Sequence, residues 1–498
     1  MATEQWSSRA GFLLATVGAA VGLGNIWRFS AVVGTNGGGA YLVPYLVAAF
    51  VCAVPLLVLE LSVGRALRTD VVSAFRSVSP AYTAFGWVVV VGVLLVLSYY
   101  LVLTGWVLGF LLSWLSGSQL TFAGFTDGWL PVGLFVVATA LTGGVVSLGV
   151  RGGIERLAKV VMPTVFAVLV ALAVYAVTLS EWDRAVSFLF TPDFGVLSDP
   201  AVWSAAFGQV FFSLSVGQGI MLTYGSYVDA ETDLRRSALL ITVADVGAAL
   251  VAGLVIFPVV FSFGLEPTLG TELAFTTLPA AFASMSFGRV VAVGFFGLLF
   301  FAALSSAVAL LEVGVSAATT TTRLDRSRAT AALTAGVFAL GLPSALSYSP
   351  VDLAVAGRPV LDLVDESVGT FALPVSAVLI VAVFCWAADL ESVQADLGPF
   401  VPLAKYLTPA VLVVATGAKA LGVARPTWRL LVEGGRTGLV DALATGGILL
   451  VVGAVGWLLR DRVPRPRRRR PTPRKCPAPR RPSVRPSRGP ARSRDPRR

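Results

Sequence analysis

One stretch of the chain is long enough to cross a membrane, yet it carries residues that disfavour a helix. It reads LLATVGAAVGLGNIWRFSAVVG, residues 13–34. Its interior contains Gly18, Gly22, Gly24, Asn25 and Arg28. Each glycine costs about 1 kcal/mol relative to alanine inside a helix, so three of them make local unwinding cheap. Unwound carbonyls suit a cation, and amides at the start of a half-helix suit a carboxylate. The stretch therefore predicts a site for a cation such as sodium beside an amino acid.

A second apolar stretch is interrupted in the same way. It reads FGQVFFSLSVGQGIMLTYGSY, residues 207–227, and its interruptions are Ser213, Ser215, Gly217, Gln218 and Gly219. Two Gly-interrupted segments in corresponding positions indicate a transporter built from inverted repeats, with its binding site at the breaks. Glycines that only allow close helix packing are the alternative. The polar residues in both breaks favour unwinding, because unwound backbone needs a polar partner in lipid.

Composition places these stretches in a polytopic membrane protein. The chain has 498 residues, of which 56% are hydrophobic and 13% charged, with a mean hydropathy of +0.81. Its apolar runs reach about 20 residues, the length that spans about 30 Å of hydrocarbon. The chain contains no histidine, which excludes imidazole chemistry. Its cysteines, Cys52, Cys385 and Cys476, indicate neither a disulfide framework nor a zinc site. We therefore expect an all-α membrane protein and no enzyme.

Twelve apolar segments are predicted, starting near residues 10, 40, 83, 130, 157, 201, 236, 287, 329, 361, 405 and 438. The N-terminus has no small-residue cleavage site, so the first segment is expected to be retained. The connections after the second, fourth, sixth and eighth segments are rich in arginine and lysine. Those residues are Arg65, Arg68, Arg76, Arg151, Arg156, Lys159, Arg235, Arg236, Arg323, Arg326 and Arg328. The positive-inside rule places these loops and both termini in the cytoplasm of a plasma-membrane protein. The loop near Arg425, Arg429 and Arg436 departs from this pattern.

The segments predict four regions. Residues 10–180 would form a first five-helix repeat, 201–388 a second, inverted one, 402–459 two additional helices, and 460–498 a basic cytoplasmic tail. The tail holds 17 of the 38 Lys and Arg, so the rest of the chain is slightly acidic. Its Arg/Pro-rich composition predicts disorder. It could bind anionic lipid at about 1 kcal/mol per basic residue, or it could be the out-of-frame end of a GC-rich gene. No nucleic-acid partner is expected.

The motif AAVGLGNIWRFSAVVGTNGGGAYLVPYLV resembles the first two helices of the neurotransmitter:sodium symporter family, especially its LeuT-like bacterial and archaeal amino-acid transporters. The resemblance runs from about residue 6 to residue 386 and does not include the tail. It implies a five-plus-five inverted repeat with broken helices 1 and 6. It also implies a sodium-coupled symporter that imports an amino acid by alternating access, with two sodium ions as cosubstrates.

The resemblance implies two sodium sites. The second site would comprise Gly18, Val21, Ala302, Ser305 and Ser306, which supply carbonyl and hydroxyl oxygens. The first would comprise Ala20, Asn25 and Ser213. There, Ala244 matches the position of the family's seventh-helix asparagine.

The substrate pocket follows from the same matches. Tyr100 would bind the substrate carboxylate together with amides near Gly22 and Gly24, and Gly22 leaves room for the carboxylate of an amino acid. The rest of the pocket would be Ala20, Val96, Phe212, Ser213, Ser215, Gln218, Ser306 and Leu310. Gln218 makes this pocket less apolar than a leucine site. The identity of the amino acid is not predicted.

Two gates follow from the resemblance. Arg28 and Asp365 match the outward ionic gate, and Phe212 matches its aromatic lid. The family's inward pair is missing, because Thr3 and Thr320 occupy its positions. Closure on that side would use another pair, such as Arg9 with a nearby acid, or no pair at all.

No chloride requirement is expected. Tyr45, Gln209 and Ser213 match chloride-site positions of animal relatives, and Ala248 matches the acidic residue that replaces chloride in LeuT-like members. Asp245 lies three residues earlier, on the same helix face. Its carboxylate could replace chloride and the oxygen missing at Ala244.

Two further functions on this fold are alternatives to sodium symport. A proton-coupled or exchange-type amino-acid carrier usually has a basic group in place of the second sodium ion, and Ser305 and Ser306 argue against it. A membrane receptor is disfavoured, because nothing that resembles a signalling domain follows the helices.

Overall fold

The computed structural model describes residues 4–414 except 119, 266–272, 356 and 389. Within this part the regular secondary structure is helical apart from a short hairpin of β1, Ala354–Val355, and β2, Arg358–Pro359. The helices are α1 Arg9–Ala20, α2 Gly24–Thr35, α3 Gly38–Leu67, α4 Val71–Val78, α5 Pro80–Ser116, α6 Phe122–Thr126, α7 Leu130–Ser147, α8 Val150–Ala176, α9 Trp182–Phe190, α10 Pro200–Ser213, α11 Ile220–Gly225, α12 Leu234–Ser262, α13 Leu273–Ser284, α14 Gly288–Thr321, α15 Arg326–Leu346, α16 Val360–Ala387, α17 Glu391–Phe400 and α18 Leu403–Val414. A 3₁₀ turn, Phe194–Ser198, precedes α10.

The first ten predicted segments all correspond to helices. Among the described residues, 8 helices are long and apolar enough to cross a membrane, and 2 bent pairs, α1 with α2 and α17 with α18, pass the same test together. The sixth segment consists of the shorter helices α10 and α11. The predicted twelfth segment, the end of the eleventh and the basic tail at 460–498 lie outside the described residues.

Both predicted helix breaks are present. In the first segment, α1 ends at Ala20, the following residue Val21 is extended with ψ 105°, and α2 continues at an angle of 55° to α1. In the sixth segment, α10 and α11 are separated by residues 214–219, where Ser215 has a φ of 53°. The broken first and sixth helices that the sequence predicts are therefore confirmed.

Side-chain caps mark where several helices begin. Ser8 caps α1, Asp70 caps α4, Asp233 caps α12 and Asp325 caps α15, each by accepting a hydrogen bond from a backbone amide. These caps satisfy amides that the first helical turn leaves without an intrahelical partner.

The long helices α5 and α14 form the centre of the bundle. They pack against each other, and α14 also packs on α1 and α8. Their inner faces are apolar, but the middle of each face carries hydroxyl groups: Tyr100 on α5, and Ser305 and Ser306 on α14. The two helices therefore bring polar side chains to the depth of the helix breaks.

Candidate functional site

A small cavity lies where the two breaks meet α5 and α14. Its volume is about 30 Å³, enough for a water molecule but smaller than an amino acid. Its lining is Ala19, Ala20, Gly22, Gly24, Val96, Tyr100, Phe212, Ser213, Ser215, Gln218, Ser306 and Leu310. The structure thus brings together every residue predicted for the substrate pocket. Ala19, which the motif comparison missed, adjoins Ala20 in the same break.

One end of the cavity is suited to a carboxylate. The Tyr100 hydroxyl oxygen lies 3.5 Å from the backbone nitrogen of Leu23. A Cβ atom at Gly22 would lie 3.0 Å from this hydroxyl oxygen and 2.7 Å from Oγ of Ser306, so a side chain there would fill the space. The amide of Gly22 already donates to Oδ1 of Asn25 at 3.0 Å. The expectation that this amide faces the carboxylate is therefore not met in this structure.

A buried polar cluster joins both breaks to α12 beside this end of the cavity. Asn25 Nδ2 donates to Oδ1 of Asp245 at 2.6 Å and lies 2.7 Å from Oγ of Ser213. The Ser213 hydroxyl lies 2.9 and 2.8 Å from the two carboxylate oxygens of Asp245. All three residues are buried: Asn25 is 0% exposed, Asp245 1% and Ser213 2%. A carboxyl group is thus buried among neutral hydrogen-bonding groups.

The helical register of α12 corrects one match made from the sequence. The side chain that faces Asn25 belongs to Asp245, whereas Ala244 lies about 100° around the helix and is only half-buried. The position assigned to Ala244 is therefore occupied by a carboxylate. Ala248, one turn away, is buried and has no side-chain oxygen.

A second group of oxygens lies between α1 and α14. Ser306 Oγ lies 3.3 Å from the carbonyl oxygen of Gly18 and 3.2 Å from that of Ala302. Ser305 also approaches α1, since its Oγ is 2.3 Å from the position of a Cβ atom on Gly18. Val21, the fifth predicted ligand, is the residue that directly follows α1. This set contains only hydroxyl and carbonyl oxygens, which suit a hard monovalent cation at an unwound helix.

In the predicted outward gate, Arg28 contacts the ring of Phe212 and, within the described part of the chain, does not form an ion pair with Asp365. The Arg28 guanidinium carbon lies 4.5 Å from the centre of the Phe212 ring, within the range of a cation–π contact. Asp365 is within electrostatic range of Arg28, but no ion pair joins the two side chains in the described part of the chain. The lid residue therefore contacts the arginine directly.

Two of the positions matched to a chloride site have unusual hydrogen bonding. Gln209 donates from Nε2 to the carbonyl oxygen of Gly24 at 2.8 Å. Its Oε1 and the hydroxyl of Tyr45 are buried and have no hydrogen-bond partner within the described residues. The third position, Ser213, is bonded to Asp245.

An ionic network lies at the predicted cytoplasmic end, where Thr3 is outside the described residues and Thr320 lines a cavity of about 490 Å³. Arg326 Nη2 lies 2.6 Å from Oε2 of Glu312, which is fully buried. Arg326 Nη1 also lies 3.5 Å from Oε1 of Glu4. Tyr227 donates to Glu312 at 2.8 Å.

The sequence offered Arg9 for this closure. Arg9 is exposed, and it forms no ion pair with the residues that the structure describes. The network missed by sequence reasoning joins the N-terminal segment, α14 and α15, so no local motif could have shown it.

Two broken helices, with a polar cluster between them at mid-bundle depth, define a secondary transporter of the inverted-repeat class. The sequence profile described as "Sodium:neurotransmitter symporter family" matches residues 3–130 and 126–415. The chain belongs to this family. It is therefore a multi-pass membrane transporter of a sodium-dependent symporter family and not an enzyme, as the sequence predicts.

Relatives and a solved structure agree with this assignment. The chain is 37% identical over 391 residues to an uncharacterized sodium-dependent transporter of Bacillus subtilis, covering 76% of this chain and 86% of the relative. It is 33% identical over 412 residues to an uncharacterized sodium-dependent transporter of Methanocaldococcus jannaschii, covering 78% and 82%. The crystal structure of MhsT in complex with L-phenylalanine matches with a TM-score of 0.76 at 36% identity, over 83% of this chain and 98% of MhsT.

Proposed function

We propose that this protein is a symporter that couples the inward movement of sodium to the import of an amino acid by alternating access. The observation that carries the proposal is the cluster of Asn25, Ser213 and Asp245, which joins both helix breaks next to the cavity. An ionised aspartate inside a membrane bundle is costly unless a charge balances it. No basic side chain among the described residues forms an ion pair with Asp245. A cation taken up with the substrate would supply that balance.

The groups at one end of the cavity support the proposal that the substrate is an amino acid. Tyr100 offers a hydroxyl group at one end, and Gly22 leaves space beside it. A substrate that brings its own carboxylate would use that space. The structural relative MhsT has been crystallised with L-phenylalanine, which also supports an amino-acid substrate.

The oxygens of Gly18, Val21, Ala302, Ser305 and Ser306 support a second sodium ion. A tenfold gradient contributes about 1.4 kcal/mol per ion, and a potential of 100 mV adds about 2.3 kcal/mol per charge. Two ions would then supply about 7 kcal/mol, enough to concentrate a zwitterion about 10⁵-fold.

The buried carboxylate also supports transport without chloride. An ionised Asp245 would place a negative charge beside the first cation site, held there by Asn25 and Ser213. A chloride ion would add a second negative charge at the same depth. We therefore propose that Asp245 replaces chloride, and that Tyr45 and Gln209 do not bind it.

Alternating access needs a closure at each end. On the outside, Arg28, Asp365 and Phe212 would form the gate, with the cation–π contact as one of its states. On the inside, Arg326 with Glu312 and Glu4 would replace the missing pair at Thr3 and Thr320. Residues 10–180 and 201–388 would form the two repeats, in a plasma membrane with both termini in the cytoplasm.

Thermal unfolding of the purified protein tests the ligand assignment. The midpoint is measured with each of the twenty amino acids in sodium and in choline buffer. At least one amino acid should raise the midpoint in sodium, and the increase should be lost in choline. An equal increase in choline would argue for a proton-coupled or exchange-type carrier, and no increase for any amino acid would contradict the substrate class.

A further inference from the structure

Gln218 is held at the wall of the cavity by its two neighbours. The side chain is 3% exposed and lines the cavity. Gly217 and Gly219 have φ angles of 79° and 71°, a region that favours glycine. A Cβ atom at Gly217 would lie 2.3 Å from Cβ of Ala377, and one at Gly219 would lie 2.8 Å from Cγ2 of Val71. The backbone on both sides is thus packed, which fixes the point from which Gln218 projects.

The carboxamide of Gln218 lacks a protein partner, unlike other polar groups of the cavity. It forms no hydrogen bond with any residue that the structure describes. By contrast, Ser215 Oγ donates to the carbonyl oxygen of Ala19 at 3.0 Å. Ser306 and Tyr100 lie within hydrogen-bond distance of backbone groups. A buried amide without a partner is destabilising, and buried polar groups in proteins are nearly always paired.

The remaining wall favours an uncharged ligand. The apolar side chains of Val96, Phe212 and Leu310 lie around the cavity, and none of the residues that line it is charged. A charged ligand side chain would therefore lose its hydration without gaining an ionic partner. A neutral side chain with a hydroxyl or amide group would form a hydrogen bond with the amide of Gln218. It would also lose less hydration free energy on entering the cavity than a charged side chain.

We infer that Gln218 is a specificity-determining residue that selects neutral amino acids whose side chain carries a hydrogen-bonding group. The inference rests on the proposed amino-acid transport and narrows its substrate class. A site that hydrogen-bonds a substrate group discriminates strongly against the analogue without it, because the buried polar group is then left unpaired. An apolar pocket of the same shape discriminates much less.

Isothermal titration in sodium buffer, with pairs of amino acids of similar shape, tests the inference. The pairs are threonine with valine, and asparagine with leucine. The wild-type protein should bind the polar member of at least one pair at least tenfold more tightly. Gln218→Met keeps the length of the side chain but removes its amide, so this preference should vanish or reverse. Gln394→Met, on the exposed face of α17, is the control and should keep the wild-type preference.

The outcomes separate the inference from the proposed function. Equal or tighter binding of both apolar members by the wild-type protein would overturn the role of Gln218 while leaving amino-acid transport in place. A preference retained in Gln218→Met would overturn it as well. Binding of no amino acid by folded wild-type protein would overturn both. The ratio of the affinities for the polar and the apolar amino acid of each pair, measured on the wild-type protein, tests the inference even if Gln218→Met does not fold.

Discussion

Asp245→Asn removes one buried charge while conserving the shape of the side chain. An asparagine can still accept from Asn25 through its oxygen and donate to Ser213 through its nitrogen. The fold of the cluster is therefore expected to survive. What is lost is the negative charge that we propose balances a sodium ion.

The size of the effect follows from the burial of this carboxylate. Opposite charges 4 Å apart attract by about 4 kcal/mol at an effective dielectric constant of about 20. The carboxylate and the ion lose hydration when they pair. The net loss of sodium-binding free energy in the variant is therefore about 1.5–3 kcal/mol, the range found for hydrogen bonds to charged groups. The sodium concentration that gives half-maximal uptake should therefore rise about tenfold to a hundredfold.

The assay is sodium-driven uptake into proteoliposomes in chloride and in gluconate buffer. The wild-type protein should show equal rates in both, and Asp245→Asn should be inactive or depend on chloride. Asp183→Asn, an exposed acid on α9, is the matched control and should behave as the wild type. A wild-type protein that stalls in gluconate would refute the role of Asp245 and would assign Tyr45, Gln209 and Ser213 to an anion site.

Three further variants test other parts of the site. Ser305→Ala combined with Ser306→Ala removes two oxygens of the second cation site, so sodium-dependent binding should fall sharply at an unchanged unfolding midpoint. Unchanged sodium affinity would contradict that site. Tyr100→Phe should weaken amino-acid binding about tenfold to a hundredfold, from a loss of about 1.5–3 kcal/mol, and calorimetry showing that amino-acid amides bind as tightly as amino acids would contradict carboxylate recognition. Arg326→Met leaves the Glu312 carboxylate buried without its cation, which should destabilise the protein by about 3–5 kcal/mol. An unchanged unfolding midpoint would contradict this role.

The sequence predicted the features that depend on local chemistry. Glycines and polar residues in apolar runs marked both helix breaks, since unwinding is decided within a few residues. The residues around the cavity followed from the resemblance to the symporter family, and only Ala19 was missed. The charge pattern between segments also follows a rule that acts locally along the chain.

Features that depend on register or on distant contacts could not be predicted in this way. The sequence offered the Asp245 carboxylate for the oxygen missing at Ala244, but it did not fix which of these two neighbours on α12 faces Asn25. The network of Arg326, Glu312 and Glu4 joins segments that are more than 300 residues apart in sequence. Such contacts become visible only when the helices are packed.

Sodium coupling is the central claim, and uptake of the amino acid identified by thermal unfolding tests it most directly. Proteoliposomes are prepared with an inward sodium gradient, or with an inward proton gradient in choline buffer. We predict accumulation against the amino-acid gradient in the first case and only equilibration in the second. Undiminished accumulation in choline buffer driven by protons would contradict sodium-coupled transport.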